Sequence, residues 1–213
     1  MNFSITIPTC GRKTLARTLR SIQLAGFQEG DEVIVVGDGP QPIAAEICKR
    51  FQPFMDVKYL EHGPTHCFGN AQRDFGMRTA TKDMLAFMDD DDEYVAGCLA
   101  VMRQFAAENP GKVLIFQMYH RSVGVIWKEK VLREGEVGTQ TVVLPNIQEQ
   151  LSQWTCEQIP ERDYMGDYYF FRRTVDNWPG KDAGIVWVKF PVAVHHMSWV
   201  QSESAGEWEP IKQ

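Results

Sequence analysis

Four consecutive aspartates, Asp89, Asp90, Asp91 and Asp92, directly follow an apolar run at residues 84–88. The run has the length and composition of a buried strand, so the strand end would hold the acids close together. Two carboxylates about 4 Å apart repel each other by roughly 4 kcal/mol at an effective dielectric constant of about 20. Such a cluster therefore requires solvent, protonation or a bound cation.

Several kinds of site could use this cluster. An EF-hand needs glycine at its sixth position and glutamate at its twelfth; this chain has Tyr94 and Ala100 there, so that interpretation fails. A phosphatase-type site would use Asp89 or Asp91 as a covalent nucleophile. A solvated acidic turn would only stabilise the start of the next helix. A divalent-cation site is the remaining interpretation, because carboxylate oxygens suit Mg²⁺ or Mn²⁺, which also bind diphosphate oxygens.

The first half of the chain alternates apolar strand segments with segments of helical periodicity. This alternation predicts a mainly parallel sheet in an α/β fold. Ligands of such sheets bind beyond the carboxyl ends of the strands. Three strand ends here carry the turns "PTCGR", "GDGP" and "DDDD", which we expect to meet in one crevice. Strands are predicted at 3–8, 32–40, 57–61 and 84–88, and helices at 12–26, 42–51, 68–80 and 95–109.

The second half of the chain has a different pattern, with strands that do not alternate regularly with helices. No linker, internal repeat or shift in composition marks a boundary, so we interpret residues 1–213 as a single domain. Strands are predicted at 112–120, 122–128 and 138–146, the first two as a hairpin, and the range 184–199 is predicted to form one or two strands. A helix is predicted at 161–178.

Composition restricts the class of protein and its compartment. The net charge of −6 argues against a general nucleic-acid-binding surface, although it allows a local basic pocket. The five cysteines are odd in number and none is spaced as CxxC, so we expect no disulfide framework, no zinc site and a reducing compartment. The chain starts with no basic and apolar leader, and no run approaches the roughly 20 apolar residues of a membrane span. These features predict a cytoplasmic location.

Four motifs, "ITIPTCGR", "VIVVGDGP", "GNAQRDFG" and "AFMDDDDEY", resemble in this order the nucleotide-sugar half of family 2 glycosyltransferases. The resemblance implies the GT-A fold, with helices on both faces of the sheet, a donor-binding half at 1–110 and an acceptor-binding half at 111–213. It also implies a hexosyltransferase-like enzyme that moves a sugar from a UDP-linked nucleotide-diphospho-sugar to an acceptor hydroxyl, with inversion and with Mn²⁺ or Mg²⁺. The alternative is a metal-dependent phosphotransferase or phosphohydrolase that uses the same acids.

The resemblance assigns roles to residues of the four motifs. Asp38 falls on the family's uracil-binding aspartate, and Asp89 and Asp91 fall on its metal-binding DXD pair. Asp74 stands where the family has asparagine. The implied nucleotide-sugar contacts are Pro8, Thr9, Arg12, Asp38, Arg73, Asp89 and Asp90, and the implied metal ligands are Asp91 and Asp89.

Transfer to a hydroxyl requires a carboxylate base within hydrogen-bond reach of that hydroxyl. The family's spacing from the DXD pair implies Asp167 as this base, with Asp163 as the alternative. A late histidine is a further metal ligand in many GT-A enzymes, and here it would be His195 or alternatively His196. Alternation along a strand would point only one of the two into the site.

Tryptophans are concentrated in the second half of the chain, with five of them at residues 154–208. Indole faces stack on sugars, and buried indoles also fill cores. Trp178 and Trp199 flank the expected site in sequence, so we predict them as acceptor contacts, with core packing as the competing explanation.

Overall fold

The computed structural model describes residues 1–156, 166–196 and 210–211. These residues form one nine-stranded sheet with helices packed against it. The strands are β1 (Phe3–Thr9), β2 (Glu32–Asp38), β3 (Val57–His62), β4 (Met84–Phe87), β5 (Glu93–Tyr94), β6 (Val113–His120), β7 (Gly124–Ile126), β8 (Val142–Pro145) and β9 (Ile185–His195). The helices are α1 (Leu15–Leu24), α2 (Pro42–Phe51), α3 (Asn70–Thr79), α4 (Cys98–Glu108) and α5 (Gly166–Asn177).

The predicted elements of the first half are confirmed, with boundaries that shift by a few residues at most. The predicted helix at 161–178 corresponds to α5, and residues 161–165 lie outside the described part of the chain. The two-residue strand β5 was not predicted, because two residues are too short to show periodicity. No helix in the described ranges is long and apolar enough to cross a membrane.

The sheet has the strand order β3-β2-β1-β4-β8-β6-β9-β5, and β7 pairs with β6 as a hairpin. The first four strands are parallel, as predicted. Beyond β4 the sheet is mixed, because β8 runs antiparallel to both β4 and β6, while β9 is parallel to β6. The carboxyl ends of β1, β2, β4, β6 and β9 therefore lie at one edge of the sheet.

Each face of the sheet is covered by a separate hydrophobic core, which confirms helices on both faces. Side chains alternate along β4, so Ala86 faces the first core and Phe87 faces the second. The first core contains side chains of α1, α2 and α4, and the second contains side chains of α5 together with Trp127 and Trp154.

Helix α3 packs closely on the sheet through Gly76. A Cβ built at Gly76 would lie 2.4 Å from Thr6 Cγ2 and 3.2 Å from Val36 Cγ2. Thr6 is fully buried on the central strand β1, so its side chain cannot move away from an added methyl group. This close approach places the N-terminal half of α3 beside the carboxyl ends of β1 and β2.

We expect Gly76→Ala to lower the free energy of unfolding by up to about 2 kcal/mol. Alanine favours the helix by about 1 kcal/mol over glycine, but overpacking of a close contact costs about 1–3 kcal/mol. Because the clash is with a β-branched side chain on a central strand, we expect the packing effect to win. Urea titration measures the change, and Gly63→Ala is the control, since a Cβ there meets nothing within 4 Å. An alanine variant more stable than the native protein would contradict the expected packing.

The expectation of no disulfide is wrong, because Cys67 and Cys156 form one in the structure. The two residues are 89 positions apart in sequence, and the fold brings their Cα atoms to 5.5 Å. An odd cysteine count and the lack of CxxC spacing carry no information about such a distant pair. The bridge also removes the support for a reducing compartment, since disulfides persist mainly in oxidising ones. It joins the loop before α3 to the segment at 151–156.

Candidate active site

The carboxyl ends of the strands line one cleft, as the three polar turns predicted. Its volume is about 470 Å³. The lining residues come from the ends of β1, β2 and β9, from the acid turn after β4, and from the start of α3 with its preceding loop. They include Pro8, Thr9, Arg12, Asp38, Arg73, Asp89, Asp90, Asp91, His195 and His196.

The turn after β1 holds two of the four aspartates. Thr9 Oγ1 donates a hydrogen bond to Asp90 at 2.6 Å. The guanidinium of Arg12 donates to Asp90 at 2.8 Å and to Asp91 at 3.1 Å. Asp90 therefore accepts through both carboxylate oxygens, whereas Asp91 is held through one oxygen only by the described residues.

Asp89 and Asp92 are bridged by Gln140, a residue that sequence reasoning missed. The Gln140 amide donates to Asp89 at 3.0 Å and also to Asp92. Arg73 donates to the other oxygen of Asp89, and the backbone N–H of His196 donates to Asp92 at 2.7 Å. Gln140 lies in a one-turn 3₁₀ segment about fifty residues after the acids, and no local pattern marks it.

Burial disfavours the ionised form of the carboxylates in the acid cluster. Asp92 is 1% exposed and Asp90 is 2% exposed, so the interpretation as a solvated turn is wrong. Desolvation raises the pKa of Asp91 to about 6; the Arg12 charge opposes this, and the neighbouring Asp90 and Asp89 add to it. Desolvation and the Asp89 charge also raise the pKa of Asp92 well above its ordinary value. A bound cation would relieve this repulsion.

The donor groups of the cluster fit a hard divalent cation. Asp89 and Asp91 supply carboxylate oxygens, and the buried Nδ1 of His195 has no hydrogen-bond partner among the described residues. Desolvation and the stacked ring of His120, with centroids 4.3 Å apart, lower the pKa of His195 and keep its imidazole neutral, as a metal ligand must be. His196 instead pairs with Glu93 at 2.9 Å, so the geometry favours His195.

The candidate metal ligands do not form a complete metal site by themselves. Among the described residues, no group of three His, Cys, Asp or Glu side chains is already arranged to hold an ion. Mg²⁺ sites commonly use one or two carboxylates, with phosphate and water oxygens in the remaining positions. The residues present therefore fit an ion that binds together with a phosphorylated ligand.

Asp38 is held rigidly at the far side of the cleft. Its carboxylate accepts hydrogen bonds from the backbone N–H groups of Thr65 at 2.7 Å and His66 at 3.1 Å. The Gln72 side chain donates to the same carboxylate at 2.8 Å. The Thr65 hydroxyl donates as well, at 3.2 Å, so three residues of the loop before α3 and of α3 itself hold Asp38. Sequence reasoning missed all three, although Gln72 directly precedes the predicted Arg73.

Asp167 lies in the first turn of α5, beside the start of α3. Gly166 lets the two helices approach, since a Cβ there would lie 2.5 Å from Asn70 Nδ2. Desolvation raises the pKa of Asp167 to about 6; the Arg73 charge opposes this, and the Asp89 charge adds to it. Asp167 does not line the cleft, but it is near enough to Arg73 and Asp89, which do, for their charges to act on it. The alternative base, Asp163, lies outside the described residues.

Of the two predicted acceptor contacts, the structure describes only Trp178, which is not in the cleft. Trp178 is 2% exposed in the second core, and its indole N–H donates to Gly111 O at 2.9 Å, at the amino end of β6. That edge of the sheet is opposite the cleft, so the core-packing explanation holds for Trp178. Trp199 lies outside the described residues.

The mixed sheet, its cleft at the carboxyl edge and the acid turn after β4 define a GT-A fold. The model of the protein family "Glycosyl transferase family 2" matches residues 4–177. The chain belongs to this family, and the first-half motifs that carried the resemblance lie inside the matched range.

Solved structures and a curated relative are similar to this chain. S. aureus TarS has a TM-score of 0.75 at 18% identity, over 93% of this chain and 37% of that chain. Its residues 1–349 in complex with UDP-GlcNAc give 0.70 at 17%, over 92% and 58%. Mannosyltransferase PcManGT from Pyrobaculum calidifontis, in complex with GDP-Man and Mn²⁺, gives 0.65 at 14%, over 91% and 56%.

The curated relative is the GalNAc(5)-diNAcBac-PP-undecaprenol beta-1,3-glucosyltransferase of Campylobacter jejuni subsp. jejuni serotype O:2 (strain ATCC 700819 / NCTC 11168). It is 29% identical over 107 residues, which is 49% of this chain and 34% of the relative. The chain thus spans about a third of the length of this relative. It spans a similar share of TarS, 37%.

Proposed function

We propose that this chain transfers a sugar from a UDP-linked nucleotide-diphospho-sugar to an acceptor hydroxyl, with inversion and with a bound Mn²⁺ or Mg²⁺. One observation carries the proposal: a single cleft is lined by the Asp38 carboxylate, by two arginines and by an acid cluster whose carboxylates repel each other. Asp167, a further carboxylate of raised pKa, lies within reach of the charges of two residues that line this cleft. Each of these groups has a distinct role in such a transfer.

The nucleotide base would bind at Asp38. A carboxylate only accepts hydrogen bonds, and the imide N–H of uracil is a matching donor. Hydrogen bonds from Thr65, His66 and Gln72 already fix the Asp38 side chain, so the carboxylate is oriented before the ligand binds. Preorganisation of this kind reduces the entropy lost on binding. Pro8 and Thr9 would line the base and ribose at the end of β1.

The diphosphate would bind between the arginines and the acid turn. Arg73 and Arg12 provide guanidinium groups, which suit phosphate oxygens through paired donors. Asp91 and Asp89, with His195, would hold the cation. When bound, the cation supplies Lewis-acid stabilisation of the negative charge that develops on the leaving diphosphate. Asp90 has a supporting role, since its carboxylate is almost fully buried and bound by Thr9 and Arg12, whereas Asp89 is partly exposed to the cleft.

Asp167 would accept the proton of the acceptor hydroxyl. A pKa of about 6 leaves its carboxylate ionised at neutral pH, yet more basic than an ordinary aspartate. The new bond forms between the acceptor oxygen and the anomeric carbon as the bond to the diphosphate oxygen breaks. A single displacement on the face opposite the leaving group inverts that carbon.

The similar proteins support this choice of donor. TarS structures contain UDP or UDP-GlcNAc, and the PcManGT structure contains GDP-Man with Mn²⁺. The name of the curated relative describes transfer to a saccharide on undecaprenol diphosphate, an example of a lipid-linked hydroxyl acceptor. Family membership favours sugar transfer over phosphate-ester hydrolysis by the same acids.

A ligand screen tests the proposal. We expect UDP to raise the melting temperature only when Mn²⁺ or Mg²⁺ is present, and UDP-sugars to be hydrolysed slowly without an acceptor. Phosphate release from simple phosphomonoesters, without any response to UDP, would instead support the phosphohydrolase alternative. Asp38→Asn is the matched variant, because it keeps the shape of the side chain but replaces one acceptor oxygen by a donor.

A further inference from the structure

Trp154 is bound differently from the other tryptophans of the second core. Trp127 and Trp178 donate their indole N–H groups to the carbonyls of Phe116 and Gly111, each at 2.9 Å. Trp154 is 3% exposed, and its indole N–H has no hydrogen-bond partner among the described residues. Buried donors are normally paired. Ring contacts, rather than a hydrogen bond of the side chain, therefore hold this indole in place.

The indole of Trp154 contacts three phenylalanine rings and one guanidinium group. Phe170 of α5 stacks on the indole with centroids 4.1 Å apart and planes at 11°. Phe87 and Phe171 meet it edge-on, at 5.5 and 5.7 Å. The guanidinium carbon of Arg73 lies over the ring, 5.4 Å from its centroid. Tryptophan is the aromatic side chain that attracts a cation most strongly.

Arg73 is the arginine that binds Asp89 in the cleft. Its Nη2 donates to Asp89, and its Nη1 donates to Phe68 O at 2.9 Å and to Asn70 Oδ1 at 3.3 Å. Its Nε has no partner among the described residues. The hydrogen bonds restrain the guanidinium within its own plane. The indole ring of Trp154 adds a contact on the guanidinium carbon, which further limits movement of the group.

The backbone around Trp154 is tied to α3, the helix that carries Arg73. The backbone N–H of Trp154 donates to the Asp74 carboxylate at 3.0 Å. The disulfide joins Cys156 to Cys67 in the loop before α3. Asp74 stands where the resembled family has asparagine, and here its carboxylate anchors the segment at 151–156. Trp154 and Arg73 are thus held in a fixed relation, even though they are far apart in sequence.

We propose that Trp154 is a positioning residue of the donor site, which acts by orienting Arg73 toward Asp89 and the donor diphosphate. The inference rests on the proposed function and adds a residue that does not line the cleft. Because Trp154 acts through Arg73, its loss weakens donor binding more than it slows proton transfer to Asp167. Its substitution therefore raises KM more than it lowers kcat.

Isothermal titration of UDP in the presence of Mn²⁺ tests this role. We expect Trp154→Met, which keeps bulk but removes the aromatic face, to raise the Kd by about threefold to thirtyfold, the range of a cation–π contact. Trp154→Phe, which restores a face, should bind within about threefold of the native protein. Trp127→Met is the matched control, since it removes an equally buried indole that does not contact Arg73. It should lower the melting temperature without changing the Kd.

A double-mutant cycle separates positioning from stability. In an Arg73→Gln background, Trp154→Met should have no further effect on the Kd. Native-like UDP binding by Trp154→Met, or an equal loss in both backgrounds, would overturn the proposal and leave the proposed function intact. A native protein that does not bind UDP with Mn²⁺ would overturn the proposed function instead. Trp154→Leu replaces the methionine variant if that variant does not fold.

Discussion

Asp167→Asn is expected to lower kcat by about two to four orders of magnitude, the usual contribution of a positioned base. The asparagine keeps the shape of the side chain, but it cannot accept a proton from the acceptor hydroxyl. UDP affinity in the presence of Mn²⁺ should stay within about threefold, because the proposed donor contacts come from other residues. Steady-state kinetics with a UDP-sugar and titration of UDP measure the two effects separately.

The pH profile adds a second test of the same residue. Asp167 has a pKa of about 6, raised mainly by desolvation, and only its ionised form accepts a proton. Asp91 has a similar pKa of about 6, so the profile is measured at saturating Mn²⁺, which favours the ionised form of Asp91. The native rate should then fall as the pH drops through about 6, and the residual rate of Asp167→Asn should lack this step.

Two control variants identify the base. Asp176→Asn changes an acid of the same helix that is exposed and paired with Arg172, and it should leave kcat unchanged. Asp163→Asn tests the alternative base and should also remain active. A folded Asp167→Asn protein with kcat within tenfold of native, together with a loss in Asp163→Asn, would move the base to Asp163.

Asp91→Asn should abolish most of the metal-dependent gain in UDP affinity, raising the Kd with Mn²⁺ by at least about tenfold. In the part of the chain that the structure describes, donors bind Asp91 through one oxygen only, so this acid retains the most capacity for a cation. Chelation of the metal from the native protein should raise the Kd similarly. Chelation of the variant should then change little.

The same substitution should leave the metal-free protein as stable as the native one, or make it more stable. The reason is that burial and the charges of Asp90 and Asp89 oppose ionisation of Asp91. Removing a charge that serves ligand binding relieves that repulsion. Thermal unfolding with and without Mn²⁺ measures both effects. Asp56→Asn, at the opposite edge of the sheet, is the charge-matched control, and equal responses in the two variants would exclude Asp91 as a ligand.

Much of the first half of the structure follows from local sequence patterns. The apolar runs at β1, β2 and β4 and the amphipathic helices between them predict parallel strands, whose carboxyl ends must share one edge. The cleft that joins Asp38, Arg73 and the acid turn follows from that rule. Periodicity and strand polarity are properties of short segments, so a sequence reveals them directly.

The partners of these residues were decided only by the tertiary structure. Gln140 binds Asp89 from about fifty residues away in sequence, and Thr65 and His66 donate hydrogen bonds to Asp38. Trp154 contacts Arg73 because a disulfide and packing against α5 hold it there. The sequence by itself determined which chemical groups would be collected at the strand ends. Only the packed chain decided which donors hold them and which indole stays in the core, because contacts between distant segments depend on the shape of the whole fold and have no local periodicity.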